Sequence, residues 1–446
     1  MEIDSKTKGA SGLRLSLRAL EHQNFRLFFG GQSISLIGTW MQRIALGWLV
    51  YHMTNSPFLL GVVGFAGQIP TFLLAPFAGV FADRWNRHRI LIVTQSLAMV
   101  QALVLSLLVL TGTVVIWHIM VLSIFLGTIN AFDTPARQSF LVEMVEKKED
   151  LSNAIALNSS MVNVARLLGP SLAGILISVV GEGLCFLLNG VSYLAVIAAL
   201  LAMKIKKRET KHQPSKVWAG LREGFAYAFG FSPIGAVLLL LALMSFMGMP
   251  YTILMPVFAR DVLHGGPHTL GFLMGASGVG ALGGALYLAS RKSVLGLGRL
   301  ISVATALFGI GLVAFSHSRL LALSIPLMFI TGFGMIVEMA ASNTVLQTIV
   351  EDDKRGRIMS FFTMAFMGMT PFGSLFAGFL ASRIGAPNTL LIGGLACLAG
   401  AAAFALKLPA LREVARPVYV KMGIIPEVVS GIQSATELTM PGKKSL

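Results

Sequence analysis

The chain has 446 residues, of which 55% are hydrophobic and 12% charged, and its 35 Lys and Arg outnumber its 20 Asp and Glu to give a formal net charge of +15. A soluble domain carries about a quarter of its residues as charges, so this composition excludes an ordinary water-soluble enzyme. Nucleic-acid binding is excluded too, because the basic residues flank apolar runs and do not interleave with aromatics. Anionic lipid headgroups are their natural partner.

A membrane crossing needs about 20 apolar residues. Runs of that kind begin near Phe28, Phe58, Ile90, His118, Ala154 and Leu184, then near Ile234, Leu270, Leu300, Leu321, Ile358 and Leu390. They predict an all-α polytopic membrane protein of twelve transmembrane helices in two six-helix, pseudo-symmetric halves. The connections alternate in charge. One set carries Arg84 to Arg89, Lys147-Lys148, Lys204 to Lys216, Arg291-Lys292 and Lys354 to Arg357. The other set has Arg260, Arg319 and Arg383 alone among its Lys and Arg. Basic connections stay in the cytoplasm, which puts both chain ends there.

The expected organisation is a cytoplasmic tail over 1–24, a first half over 25–204, a linker over 205–230, a second half over 231–407 and a cytoplasmic tail over 408–446. Val217 to Phe229 in the linker reads as an amphipathic helix lying on the membrane. The chain after Leu408 turns polar and is expected to be loosely ordered, with a surface helix around Val418 to Ile432. No removable signal segment is expected. Cys185 and Cys397 fall in apolar runs and read as core thiols, with no disulfide, metal or other cofactor expected.

The halves repeat at an offset of about 205 residues, a self-similarity spread over several helices. Gly79 pairs with Gly284, Arg87 with Lys292, Gly127 with Gly332 and Gly174 with Gly378. The same offset carries Asp133 onto Glu338.

The segment Gly79-Val80-Phe81-Ala82-Asp83-Arg84-Trp85-Asn86-Arg87-His88-Arg89 resembles the signature loop between spans two and three of the major facilitator superfamily. Gly38 to Val50, Pro135 to Gln138, Leu221 to Tyr227 and Met255 to Arg260 resemble its enterobactin-exporter and macrolide-efflux branch. The resemblance extends from about Phe25 to Leu406. It implies a secondary exporter of amphipathic small molecules in a bacterial inner membrane, commonly proton-coupled. The loop departs from the family pattern at Asn86, where a glycine is usual, and at His88. A tight turn there calls for positive φ at one position, which Asn tolerates next after Gly. Gly79, Asp83, Arg84, Asn86, Arg87 and Arg89 are expected to latch the cytoplasmic mouth; the plainer alternative is a solvated basic turn. Gly169-Pro170, with Gly174 beyond, resembles a shortened form of the superfamily's span-five antiporter motif.

Five ionisable residues fall inside predicted spans: Arg43, Asp133, Arg137, Arg166 and Glu338. Facing lipid, each costs about 2.5–3.5 kcal/mol, so all five are expected to face the interior and form a proton and substrate cavity. Asp133 and Arg137 lie i, i+4 on one helix face and can pair. Either Asp133 forms a static ion pair with Arg137 or Arg166 that holds helices four and five together, or Asp133, Glu338 or both carry protons. Glu338 has no basic neighbour within a turn, which makes it the better site for reversible protonation. Arg43 either snorkels to the interface or offers its planar fork to an anionic substrate. Met244, Met247, Met249 and Met255, with a second cluster from Met335 to Met369, either fill the core or line an adaptable pocket. The partners expected are a small-molecule substrate, protons and membrane lipids, with no nucleic acid and a monomeric chain. The alternatives are an importer, uniporter or flippase-like transporter of organic anions or lysolipids, and, from another class, a membrane-embedded receptor or enzyme. No Walker loop, H-E-x-x-H or soluble domain supports the last.

Overall fold

A computed structural model describes residues 17–204, 225–291, 293–351 and 354–422. The first half contains α1 (Gln23–Thr54), α2 (Pro57–Arg84), α3 (Arg87–Leu110), α4 (Ile116–Met144), α5 (Leu151–Val180) and α6 (Glu182–Ala202). The second contains α7 (Ser232–Val262), α8 (Pro267–Ala289), α9 (Leu297–His317), α10 (Leu321–Ile349), α11 (Arg355–Ile384) and α12 (Ala386–Lys421). The predicted starts fall within a turn or so of these. Eleven of the segments are long and apolar enough to cross a membrane. The exception is α1, which carries Arg26 and Arg43 yet packs along α5 and α6. Large apolar side chains such as Leu107, Val179, Leu239 and Leu406 face outward, as lipid contact requires.

Helix ends follow local chemistry. Pro57 opens α2, and the Ser56 hydroxyl caps it by accepting the Leu59 N–H at 3.3 Å. Asn86 caps α3 by accepting the Arg89 N–H at 3.2 Å, with φ at −67°. The expectation of positive φ at the loop is therefore corrected. Trp85 and Asn86 are both extended, and Asn serves there for its side-chain oxygen. Positive φ outside glycine occurs at Asn55 and His264 among the described residues. Prolines interrupt α7 and α11, where single wide π turns occur at Met244–Gly248, Phe258–Val262 and Met364–Gly368. A proline removes an N–H and crowds the preceding turn, and a π turn accommodates that locally. Helix α12 continues past Leu408 to Lys421, so the chain after Leu408 is not loosely ordered at first. Of the expected surface helix over Val418 to Ile432, the part beyond residue 422 lies outside the described residues. Of the expected linker helix, Phe225 to Gly230 are helical and the rest lies outside them.

The halves repeat in packing as well as in sequence. Helix α2 packs on α4 as α8 packs on α10, α3 on α6 as α9 on α12, and α1 on α5 and α6 as α7 on α11 and α12. Gly127 sits against Gly67 of α2, and its repeat partner Gly332 sits against Ser277 of α8. The halves themselves meet through α2 on α11 and α5 on α8. There Gly61 touches Gly378, and Gly271 touches Gly174, where an added Cβ would come within 2.7–2.9 Å of a facing Cα.

These contacts lie toward one end of the bundle, where the connections carry few Lys and Arg. One apolar core containing Tyr51, Leu60, Tyr251, Phe258 and Phe315 joins the halves at that end. Toward the basic end each half has a core of its own, one around Phe25, Phe140 and Leu200, the other around Ile234, Ile301 and Ile358. A shared core holds surfaces together by excluding water from both. Two separate cores leave the halves free to part.

Candidate functional site

At the closed end, two polar contacts cross between the halves among the described residues. The Tyr51 hydroxyl of α1 donates to the Asp261 carboxylate of α7. Arg260 donates to the Asn55 side-chain oxygen at 2.6 Å and lies 5.9 Å from the Tyr51 ring centroid. Asn55 reaches this position because it ends α1 in a left-handed conformation, φ 48°. Sequence reasoning missed the latch, although Arg260 and Asp261 stand together just beyond two helix-breaking prolines. Charge-assisted hydrogen bonds contribute about 1.5–3 kcal/mol. Tyr51→Phe with Asp261→Asn is therefore expected to shift the population about tenfold or more toward opening at this end. Cysteine labelling in the space beneath the latch measures that shift, and unchanged labelling refutes it.

At the basic end, the described part of the signature loop ties the first half to itself. Arg87 pairs with Glu143 of α4 at 2.6 Å, and His88 donates to the Leu200 carbonyl of α6 at 2.7 Å. Gly79, Asp83 and Arg84 lie on the last turns of α2, and their side chains are outside the described residues. The N-terminal turn docks on the same end, where Arg18 and His22 contact Asp150. The hydrogen bond with His22 holds the Asp150 carboxyl below its ordinary range.

The five intramembrane ionisable residues do not share one cavity. Asp133 faces the interior of the first half, buried against α3. Its Oδ1 accepts from the Thr94 hydroxyl at 2.9 Å and from Gln95 at 2.7 Å, while Oδ2 lies 3.4 Å from Arg137. A carboxylate with that many donors is fully answered within its own half. Close by, the amides of Gln42, Gln101 and Asn189 form a buried chain linking α1, α3 and α6, with bonds of 3.0 and 2.6 Å. Uncharged polar residues in apolar runs give little signal in sequence.

Glu338 faces the interior of the second half and is fully buried. Ser342 donates to its Oε1 at 3.1 Å, and Oε2 has no hydrogen-bond partner among the described residues. Cys397 of α12, a free buried thiol, is near enough to interact with it electrostatically. The repeat thus places Asp133 and Glu338 alike, one answered by a guanidinium and the other not.

Arg43 and Arg166 come together at the boundary between the halves. Both guanidinium carbons lie over the Trp40 ring, 4.6 and 5.2 Å from its centroid. The span-five motif explains the placement. Gly169 lets α5 lie against α1, for a Cβ there would be 3.0 Å from the Ile37 carbonyl. Gly174 then meets α8. The methionines divide: Met244 and Met255 are buried core, while Met364 and Met367 are exposed on the π turn of α11. A separate apolar cavity of about 520 Å³ lies among α7, α9, α10 and α12, and none of the five ionisable residues lines it.

A family model described as "Transmembrane secretion effector" matches residues 15–423. The chain is 26% identical over 381 residues to the staphyloferrin A transporter of Staphylococcus aureus, covering 84% of this chain and 93% of that one. It is 24% identical over 397 residues to macrolide efflux protein A of Streptococcus pyogenes, covering 84% and 94%. It is 25% identical over 389 residues to the multidrug efflux pump Tap of Mycolicibacterium fortuitum, covering 83% and 92%. Among solved structures, a bacterial homologue of the human lysosomal transporter Spinster, inward-facing and unoccupied, superposes with a TM-score of 0.64 at 14% identity over 91% of this chain and 98% of that one. A POT family transporter gives 0.66 at 12% identity over 87% and 96%. These two likenesses concern the fold alone.

Proposed function

The chain belongs to the transmembrane secretion effector family of the major facilitator superfamily, and as a membrane transporter of that family we propose that it exports hydrophobic or amphipathic small molecules by alternating access. The observation that carries this reading is the asymmetry of its cores: one shared core at the end with few basic residues, two separate cores at the other. A transporter that rocks about a central site needs such a division. On this reading α1 is the twelfth crossing, the basic end faces the cytoplasm of a bacterial inner membrane, and the described state opens inward to receive cargo. The chain works as a monomer, with Tyr51, Asp261, Arg260 and Asn55 latching the outer side. The basic loop from Gly79 to Arg89 steadies the inner end of the first half, and Glu338 exchanges protons as the halves rock.

The staphyloferrin, macrolide and multidrug relatives support cargo of that kind. Everted membrane vesicles test the direction. Under an imposed proton gradient, a transported dye or macrolide is expected to accumulate in everted vesicles bearing the protein. Accumulation confined to right-side-out vesicles would establish an importer.

A further inference from the structure

Two arginines sit side by side within the bundle with no carboxylate among the described residues to answer them. Arg43 and Arg166 share the Trp40 ring and are near enough to interact electrostatically. Among the described residues neither makes an ion pair, and Arg166 Nε is buried without a hydrogen-bond partner. Arg137, three helices on from Arg43, has Asp133.

Their location is the boundary between the two halves. Gly47, one turn beyond Arg43, faces Pro256 of α7, and the backbone of Arg166 and Leu167 lies against Gly278 of α8. Both arginines therefore stand where the first half meets the second. Across the boundary, Tyr251 bonds to Ser277 at 2.9 Å and supplies no fixed negative charge. Arg166 is half-buried and Arg43 is accessible; holding two like charges side by side with no counter-charge is costly, the more so for the less accessible of them. A chain that keeps both arginines here leaves room for an anion that comes and goes.

We propose that Trp40, Arg43 and Arg166 form an acid-binding subsite, taking the carboxylate of an amphipathic organic acid whose apolar body lies along Trp40 and the inter-half boundary. The guanidinium forks match a carboxylate in two-point geometry, and the indole face stabilises the cations when the site is empty. This deepens the exporter reading and rests on it.

The test uses four probes with one apolar body, added to the detergent-purified protein in thermal-melt titrations: 2-naphthoate, 2-naphthamide, 2-naphthylmethylamine and 2-naphthyl phosphate. Naphthoate is expected to stabilise the protein, the amide at least tenfold more weakly, and the amine not at all. Arg43→Gln and Arg166→Gln should each lower the apparent naphthoate affinity at least tenfold. Without ligand, each should melt at or above the wild-type temperature, because a repulsion has been removed. A merely structural arginine would lower the melt instead. Arg43→Lys keeps the charge, loses the fork and should fall between.

The subsite is refuted if the amide binds as well as the acid, or if both Gln variants keep wild-type affinity. Tighter binding of the phosphate would overturn the carboxylate assignment. Export of a neutral dye into everted vesicles needs no acid, so its success or failure judges the exporter reading independently.

Discussion

Glu338→Gln is expected to abolish the pH dependence of transport while leaving the fold intact. The reason lies in what surrounds the carboxyl group. Ser342 supplies a single hydrogen bond to one oxygen, the other has none, and the residue is fully buried. Glutamine copies the shape and keeps an acceptor for Ser342, so stability should change by no more than about 1 kcal/mol, the worth of one ordinary hydrogen bond. What it cannot do is gain or lose a proton.

Asp133→Asn should behave differently although it occupies the repeat-related position. Its carboxylate accepts from Thr94 and Gln95 and pairs with Arg137. The substitution leaves the guanidinium unanswered in a half-buried place, and a loss of about 1–3 kcal/mol in stability is expected. The pair of variants separates a proton site from a structural one. Transport by Glu338→Gln that still responds to pH between 5.5 and 8, at wild-type stability, would remove Glu338 from the mechanism.

The apolar runs were enough to place the helices, because lipid acts on sequence-local composition. The starts of α2 to α12 lie close to the apolar runs for that reason. The pairing of Asp133 with Arg137 was legible as well, since i, i+4 neighbours share a helix face whatever else surrounds them. What could not be read was anything needing two distant segments. Tyr51 and Asp261 stand 210 positions apart, and nothing local announces their contact. For the same reason the five ionisable residues looked like one cavity and proved to be three environments. Which face of a helix looks into its own half, and which looks across, is decided by packing between helices. Asn86 shows a smaller limit. Its tolerance of positive φ suggested one use, and the capping oxygen it also carries was the one taken.

Glycine contacts offer a sharper separation of the two kinds of packing, and substitution at them is expected to have the largest effect on conformation. At Gly378 an added Cβ would stand 2.7 Å from the Gly61 Cα and 2.8 Å from the Pro57 carbonyl. At Gly271 it would stand 2.8 Å from the Gly174 Cα. Both neighbours are backbone and cannot turn aside, so the halves must part. For a protein that rocks between two states, parting at this end is an available state. Gly378→Ala and Gly271→Ala should therefore fold, melt near the wild-type temperature, and sit with the outer end open. Overpacking costs about 1–3 kcal/mol at one site, whereas turning a 99:1 population into its reverse takes about 5.5 kcal/mol. Each single variant should shift the equilibrium partway. The two sites lie on different helix pairs and should act additively, so the double variant should move the equilibrium by about 2–6 kcal/mol, as far as the reversed population at the upper end, and lose more transport than either single variant. Gly127 and Gly332 make still tighter contacts, but inside a half, with Gly67 and with Ser277. No step of the cycle separates those helices, so Gly127→Ala has nowhere to relax and its strain should appear as lost stability. Melting temperature and outer-side cysteine labelling, measured on the three single variants, decide the matter. If Gly378→Ala and Gly127→Ala respond alike in both, the halves do not rock about these contacts.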